Sequence, residues 1–378
     1  MRQIHACAEC LRRAHLLRLL APYIEKLATG APGLRAPELL RLSNRDLAAV
    51  AAPKVAEQVL ERVAAVPGDR LEDELDAAGC WACCRHDARY PVGLRDIADA
   101  PWALIGKGDP ALLEDLEPAG AVAVVGARRA SSYGREVAHE LARDLAAAGL
   151  VVVSGLAFGI DACAHRGALE AGLTVAVLGC GADAPYPAAH RSLWRQISER
   201  GLVVSELPPG TTARRWTFPA RNRIMAGLAG MTVVVEAGER SGSLITTDLA
   251  ADLGRDLGAV PGPVHSRCSV GPNNLLAGGA CVVRDAQDVL DAMLGPGVRR
   301  IERAGPQIEP AQLGILDAVE RGAETSDAIA AELDISGAEA AASLAALEAL
   351  GYVSCSMLGA YSRTLLQPPK SAPTVADI

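Results

Sequence analysis

Ala121-Val122-Ala123-Val124-Val125-Gly126-Ala127-Arg128-Arg129, followed by Ser131, Ser132 and Gly134, decides how the chain reads. Five apolar residues in succession give way to a glycine and two arginines. A run that is apolar at every position, rather than at every second one, belongs to a strand covered on both faces. The pattern recurs: apolar runs at 150–153, 174–178, 202–204, 231–235 and 258–260 alternate with helical stretches at 134–148, 161–171, 188–200 and 243–256. Strands linked by helices imply right-handed crossovers, so this part of the chain is expected to be α/β, a doubly wound parallel sheet.

That core accounts for 120–292. Before it, 1–80 reads as a helical domain, with Leu11, Leu16, Leu17, Leu19 and Leu20 at helical spacings and a second amphipathic stretch through Leu39, Leu40, Leu47, Val55, Val59 and Val63. It resembles, only vaguely, a sterile-alpha-motif or helix-hairpin-helix unit. Residues 81–119, punctuated by Tyr90-Pro91, Ala100-Pro101 and Asp109-Pro110, read as an extended lead-in rich in turns. Leu294-Gly295-Pro296-Gly297 and Gly305-Pro306 mark a linker over 293–310. Helices near 311–320, 325–332 and 337–350 and a hairpin-like end make 311–366 a winged helix, and 367–378, with Pro368-Pro369 and Pro373, a frayed tail.

The composition sets limits. Of 378 residues 50% are hydrophobic and 22% charged, which excludes global disorder and supports a sizeable core without disulfides. Only 3% are aromatic, so Ala, Leu and Val must build that core and each ring's position is informative. With a net charge of -8 the chain as a whole does not attract nucleic acid or anionic lipid, so any anion site must be local. Lysine occurs only at Lys26, Lys54, Lys107 and Lys370, and the remaining 33 basic residues are arginine. Arginine forks suit phosphate, although a GC-rich coding bias that also favours Ala and Gly explains the excess more simply. Met1-Arg2-Gln3-Ile4-His5 opens no apolar signal segment, and no apolar run reaches the ~18 residues of a membrane span, so a cytoplasmic protein with reduced thiols is expected.

In an open parallel sheet ligands bind beyond the carboxyl ends of the strands. There the chain is small and polar: Gly126 to Arg129, then Ser154-Gly155 continuing to Phe158-Gly159-Ile160-Asp161, then Gly179-Cys180-Gly181, Ser205-Glu206 and Glu236. Glycines let backbone N–H groups approach an anion, and helix N-termini offer unpaired donors. Ser241-Gly242-Ser243, opening a helix, is the best single nest. The fingerprint G-x-G-x-x-G is absent after the first run, which disfavours a nicotinamide cofactor. Arg214-Arg215-Trp216-Thr217-Phe218-Pro219-Ala220-Arg221-Asn222-Arg223 places four arginines, two rings and no acid in ten residues, the combination that single-stranded nucleic acid requires. Its bland alternative is a solvated basic loop with Trp216 and Phe218 as core anchors. Asp161 and Glu236 could serve as an acid/base pair, but Asp161 is read as a helix cap, and no nucleophile accompanies them.

At these residues the chain resembles the DNA processing protein A family, DprA or Smf. The resemblance is carried by 122–128, by 154–161 with Ala164-His165, by 177–181 with Tyr186-Pro187, and by Ser205-Glu206 and 218–224. It continues through Glu236-Ala237, 241–246, Pro261-Gly262 and Gly271-Pro272-Asn273. It implies a Rossmann-like core that binds single-stranded DNA without sequence preference, forms a homodimer and loads the RecA recombinase in natural transformation, the uptake process of competent cells. It implies no enzymatic activity and no required cofactor. By position in the motifs, Arg128 contacts phosphate, Phe218 stacks on a base, and Arg215, Arg221 and Arg223 line the strand's path. Gly126, Arg129, Gly155, Gly159, Asn222, Ser241, Gly242 and Ser243 complete the candidate surface. Ala127 stands where the family usually has a hydroxyl residue, which removes one side-chain hydrogen bond. The alternative function, a nucleotide-cleaving phosphoribohydrolase of the lysine-decarboxylase-like type, calls for a Pro-Gly-Gly-x-Gly-Thr loop where this chain has Glu236-Ala237-Gly238-Glu239-Arg240-Ser241.

Two features lie outside that resemblance. Cys7 and Cys10 form a C-x-x-C pair, and Cys80, Cys83, Cys84 and His86 a second cluster about seventy residues on. Cys7, Cys10, Cys83, Cys84 and His86 offer ligands for a structural zinc, but the separation is far outside finger-type spacing and favours inert thiols. Between 306 and 350, nine acids face Arg321 alone, so the expected winged helix lacks the charge for duplex DNA and is read as a protein-interaction or autoregulatory module docking on the chain's own basic rim.

Overall fold

The apolar runs become strands whose alternate residues are claimed by two different layers of helices. The structure, a computed structural model, describes residues 6–30, 36–95, 97–113, 116–298, 303–355, 359–364 and 366–368. Its strands are β1 (Trp81–Cys84), β2 (Ala103–Gly108), β3 (Ala121–Val125), β4 (Val151–Ser154), β5 (Thr174–Val177), β6 (Leu202–Ser205), β7 (Met231–Val234), β8 (Asp256–Ala259) and β9 (Cys281–Val282). Among the described residues they form one sheet in the order β1-β2-β6-β5-β4-β3-β7-β8-β9, parallel from β6 to β9.

The first two strands are the departure from expectation. The turn-rich lead-in contributes β1 and β2, which add to β6 as an antiparallel edge and make the sheet mixed rather than wholly parallel. Gly106 pairs with Trp81, and a Cβ there would strike the indole, whose Nε1 donates to Gly108 O at 3.0 Å. The short apolar runs 80–84 and 102–105 that form these strands stand among the prolines at 91, 101 and 110, which read as turns.

Pleating explains the two layers. Ala82, Cys84, Ala103, Ile105, Ala176 and Val203 belong to one buried cluster, whereas Cys83, Leu104, Val175, Val177, Leu202 and Val204 belong to another. On the first face pack α1 (Ala8–Gly30), through Cys10, Leu11 and Ala14, and α8 (Ile160–Ala171) and α9 (Arg191–Arg200). The second is covered by α10 (Thr217–Leu228), through Ile224, Met225 and Leu228. The helices α2 (Ala36–Leu40), α3 (Asn44–Ala51) and α4 (Ala56–Ala64) share a cluster with α1 into which Trp216 is inserted, its indole N–H donating to Ala21 O at 3.1 Å, while α5 (Gly68–Ala77) places Leu71 and Leu75 in the cluster on the sheet. The remaining helices are the one-turn α6 (Val92–Arg95), then α7 (Ser132–Ala147), α11 (Leu244–Asp252), α12 (Val270–Ala277) and α13 (Ala286–Leu294). The expected helix over 243–256 thus stops at Asp252 because β8 already begins at Asp256.

Met1–Arg299 form one compact unit and Arg300–Ile378 a second. Within the first unit, Leu16 to Val63 keep a buried cluster of their own, while Cys10, Leu11, Ala14, Leu71 and Leu75 join the cluster on the sheet. The second unit holds α14 (Pro310–Glu320), α15 (Ser326–Leu333) and α16 (Gly337–Ala349), then a hairpin of β11 (Val353–Cys355) and β12 (Tyr361–Arg363); β10 (Arg303–Ala304) pairs with β13 (Leu366–Gln367). Its small core is Ile315, Leu316, Ile329, Leu344, Leu347, Tyr352 and Val353. Of the tail expected at 367–378, residues 369–378 lie outside the described residues.

Candidate functional site

After β6 the chain returns to place β7 beside β3, so β3 has β4 on one flank and β7 on the other. Loops leaving adjacent strands in opposite directions open a crevice at their carboxyl ends. Here it is a cleft of about 550 Å³ lined by the loop after β3, the start of α10 and the segment that opens α11.

The loop after β3 is held from both sides. Ala127 N–H donates to Glu236 O at 2.6 Å, and Ala127 O accepts from Ile160 N–H at 3.2 Å. The buried Glu236 carboxylate accepts from Ser131 N–H (2.8 Å) and Ser131 Oγ (2.5 Å), while Ser131 Oγ caps α7 by accepting from Gly134 N–H at 3.0 Å. Gly159 has φ +78°, and a Cβ there would strike the carbonyls of Ala127 and Arg128. Everything on the inner side of the loop is thus engaged, and Arg128 and Arg129 remain exposed.

Arg128 lies over the Phe218 ring, its guanidinium carbon 4.9 Å from the centroid. This geometry leaves the arginine's edge free for an anion while its face rests on the ring. Tyr186, 48% exposed, tilts toward Phe218 with centroids 5.5 Å apart, and Phe158, 47% exposed, meets His190 edge-on at 4.7 Å. Among the described residues the exposed tyrosine and phenylalanine rings are Tyr23, Tyr133, Phe158 and Tyr186, and of these Tyr186 stands beside Phe218.

Below that mouth the cleft is built on a buried charge pair. Arg221 donates to Gly155 O and, at 2.5 Å, to Val177 O, and its guanidinium lies 3.7 Å from the Asp161 carboxylate, which accepts from Ala157 N–H at 3.3 Å. Burial pushes the Asp161 carboxyl up and the Arg221 guanidinium down, and the opposite charge of the partner counters each shift. Asp161 is not the cap expected of it, since Gly159 occupies that position and Asp161 lies in the first turn of α8. Asn222 Nδ2 donates to Gly242 O at 3.1 Å and so fastens α10 to Ser241-Gly242-Ser243, whose two hydroxyls bond each other at 2.7 Å. The buried Thr246 hydroxyl, also on the cleft, has no partner among the described residues.

Nine of the thirteen residues expected on a binding surface line this cleft: Gly126, Arg128, Arg129, Phe218, Arg221, Asn222, Ser241, Gly242 and Ser243. The other four lie outside it. Arg223 is 1% exposed, with Nε 3.1 Å from Asp99 and Nη2 2.6 Å from Glu206, so it lines no surface path. Burial lowers its pKa, but the two carboxylates outweigh that and hold it above the ordinary value. Gly155 is a packing residue, since a Cβ there would collide with the Arg221 guanidinium, and Gly159 supports the loop from behind. Arg215 is exposed but outside the cleft. Trp216, 2% exposed, is a core anchor. Arg223 is turned inward because it belongs to the buried helix α10, and a helix spreads neighbouring residues around its axis. Sequence reasoning overlooked Arg240, which is exposed on the cleft wall and whose only signal was its place beside the serine nest.

The Asp161 and Glu236 carboxylates are both engaged as described, and the buried His165, held down to about 3 by burial, bonds Thr174 Oγ1 at 2.7 Å rather than orienting Asp161. The second candidate cluster is corrected at one residue: Cys83 faces away, into the layer containing α10, while Cys7, Cys10, Cys84 and His86 meet. No helix among the described residues is long and apolar enough to cross a membrane.

The family model described as DNA recombination-mediator protein A matches residues 81–294, from the first residue of β1 to the last of α13. A DNA processing protein DprA of Mycobacterium tuberculosis is 43% identical over 265 residues, 67% of this chain and 66% of that protein. Among solved structures, DNA processing protein A of Streptococcus pneumoniae is similar with a TM-score of 0.59 at 35% identity, covering 75% of this chain and 95% of that one. The DNA processing protein A of Helicobacter pylori, whose structure concerns its single-stranded DNA binding mode, gives 0.50 at 31% identity over 54% of this chain and 92% of its own.

Proposed function

This chain belongs to the DNA recombination-mediator protein A family, and from that premise we propose that it binds single-stranded DNA without sequence preference through the cleft beyond β3 and β7. One observation carries the reading: the exposed Arg128 rests on Phe218 at the cleft mouth, with Tyr186 beside it. Rings supply a face that any base can stack on, and arginine edges meet the phosphates between them. The glycine-rich loop and the serine nest give backbone room for a phosphate close to the sheet. Neither element fills a duplex groove, which favours an unpaired strand.

A protein built this way acts by holding and presenting DNA, not by cutting it; the fully engaged Asp161 and Glu236 support that reading. We extend the proposal to the role the resemblance implies: a cytoplasmic homodimer that hands the bound strand to RecA during DNA uptake, with no cofactor required for binding. Fluorescence anisotropy with labelled single- and double-stranded oligonucleotides at two salt concentrations tests the binding step. Preference for the single strand and a steep fall with salt are expected. Equal affinity for duplex, or affinity indifferent to salt, would reject the proposal.

A further inference from the structure

The structure assigns a tetrahedral zinc site to Cys7, Cys10, Cys84 and His86, where the ion would clamp the start of α1 to the end of the sheet's edge strand β1. Cys7 immediately precedes α1 and Cys10 lies in its first turn, while Cys84 closes β1 and His86 follows in the turn after it. Their ligand atoms all lie within 4.8 Å of one another.

The geometry is more specific than proximity. His86 Nδ1 stands 3.5 Å from Cys7 Sγ, 3.6 Å from Cys10 Sγ and 3.9 Å from Cys84 Sγ. An imidazole nitrogen has one lone pair or one proton, so it can make one directed bond and has no reason to sit almost equally far from three sulfurs. A shared metal supplies the reason. With Zn–S about 2.3 Å and Zn–N about 2.0 Å, the sulfur–nitrogen edge of a tetrahedron comes to about 3.5 Å. The Cys7 backbone N–H points at Cys84 Sγ across 3.5 Å, a contact that favours a thiolate there.

Three sulfurs and one nitrogen with no fifth donor among the described residues make a closed, structural set rather than a catalytic one. Strand alternation settles which of two adjacent cysteines belongs to it. Cys84 shares a face with Cys10 and Leu11, whereas Cys83 lies in the opposite cluster. The ion would therefore join α1 to β1, elements drawn from 77 residues apart in the chain at Cys7 and Cys84.

The test uses the untagged full-length chain, purified under reducing conditions without chelator, with zinc and iron measured by mass spectrometry. One zinc per chain is expected in the native protein and in Cys83→Ala, and near none in Cys84→Ser. Should Cys84→Ser fail to fold, cobalt exchanged into the native chain decides the matter by the intense visible bands and sulfur-to-metal charge-transfer absorption of a tetrahedral thiolate site. Removing the metal with a thiol-reactive mercurial and a chelator should also lower the melting temperature, and returning zinc should restore it. Zinc well below one per chain after reconstitution, iron in its place, an octahedral cobalt spectrum, or zinc retained by Cys84→Ser would each overturn the assignment.

Discussion

Arg223→Met separates a residue that supports the site from one that touches the ligand. Arg223 is 1% exposed and neutralises Asp99 and Glu206, themselves 5% and 7% exposed. Methionine keeps much of the volume but removes the ion-pair partner of both buried carboxylates, leaving the buried Arg13 as a more distant positive charge for Glu206. Breaking a buried pair from one side costs about 3–5 kcal/mol. The first unit contains 299 residues by its bounds, so its unfolding entropy is about 0.6 kcal/mol/K and the loss corresponds to a fall of about 5–8 °C in melting temperature. Adding Asp99→Asn and Glu206→Gln should recover part of it, because neutral amides need no counter-ion. Differential scanning calorimetry reads the first effect. Anisotropy at a temperature well below melting reads the second, and there single-strand affinity should change less than about threefold, under 1 kcal/mol. A normal melting temperature combined with weakened binding and a shallower salt slope would refute the reasoning and return Arg223 to the strand's path.

At the mouth of the cleft, Phe218→Ala should weaken single-strand binding by about 1–3 kcal/mol, and Arg128→Ala should flatten the log–log salt dependence by about 0.7. In anisotropy titrations the double variant should lose less than the sum, since the two side chains are in contact. Gly159→Ala forces a Cβ onto the carbonyls of Ala127 and Arg128 at positive φ, so oligonucleotide titration should show weakened binding while circular dichroism stays native. His165 is held near 3 in the fold against an ordinary 6.5, so an unfolded chain takes up its proton first as the solution acidifies. Stability present above pH 6.5 is thus lost progressively toward pH 3, amounting to about 2 kcal/mol by pH 5; urea titrations of His165→Gln at pH 7 and pH 5 should show a smaller difference by that amount.

Much of this protein is decided locally. Runs such as 121–125 and 202–204 are apolar at every position and short, and their alternation with longer helical stretches marks them as strands covered twice, so the parallel part of the sheet, its crossovers and the rim where loops gather were legible in the sequence. Gly126, Arg128 and the serine nest were legible for the same reason: loops after strands need small residues, and the cleft uses them. What the sequence left open depends on partners distant in the chain. Arg221 and Arg223 look alike in a string of arginines, yet two residues along a helix differ by roughly 200° of rotation, and that turn sends one beneath the cleft and the other to Asp99 and Glu206. Cys83 and Cys84 are likewise separated only by the pleat of β1. Periodicity states which residues share a face. Which other face it meets is a property of the folded chain alone, because burial, counter-charge and ligand geometry are set by residues that approach one another only when the sheet has formed.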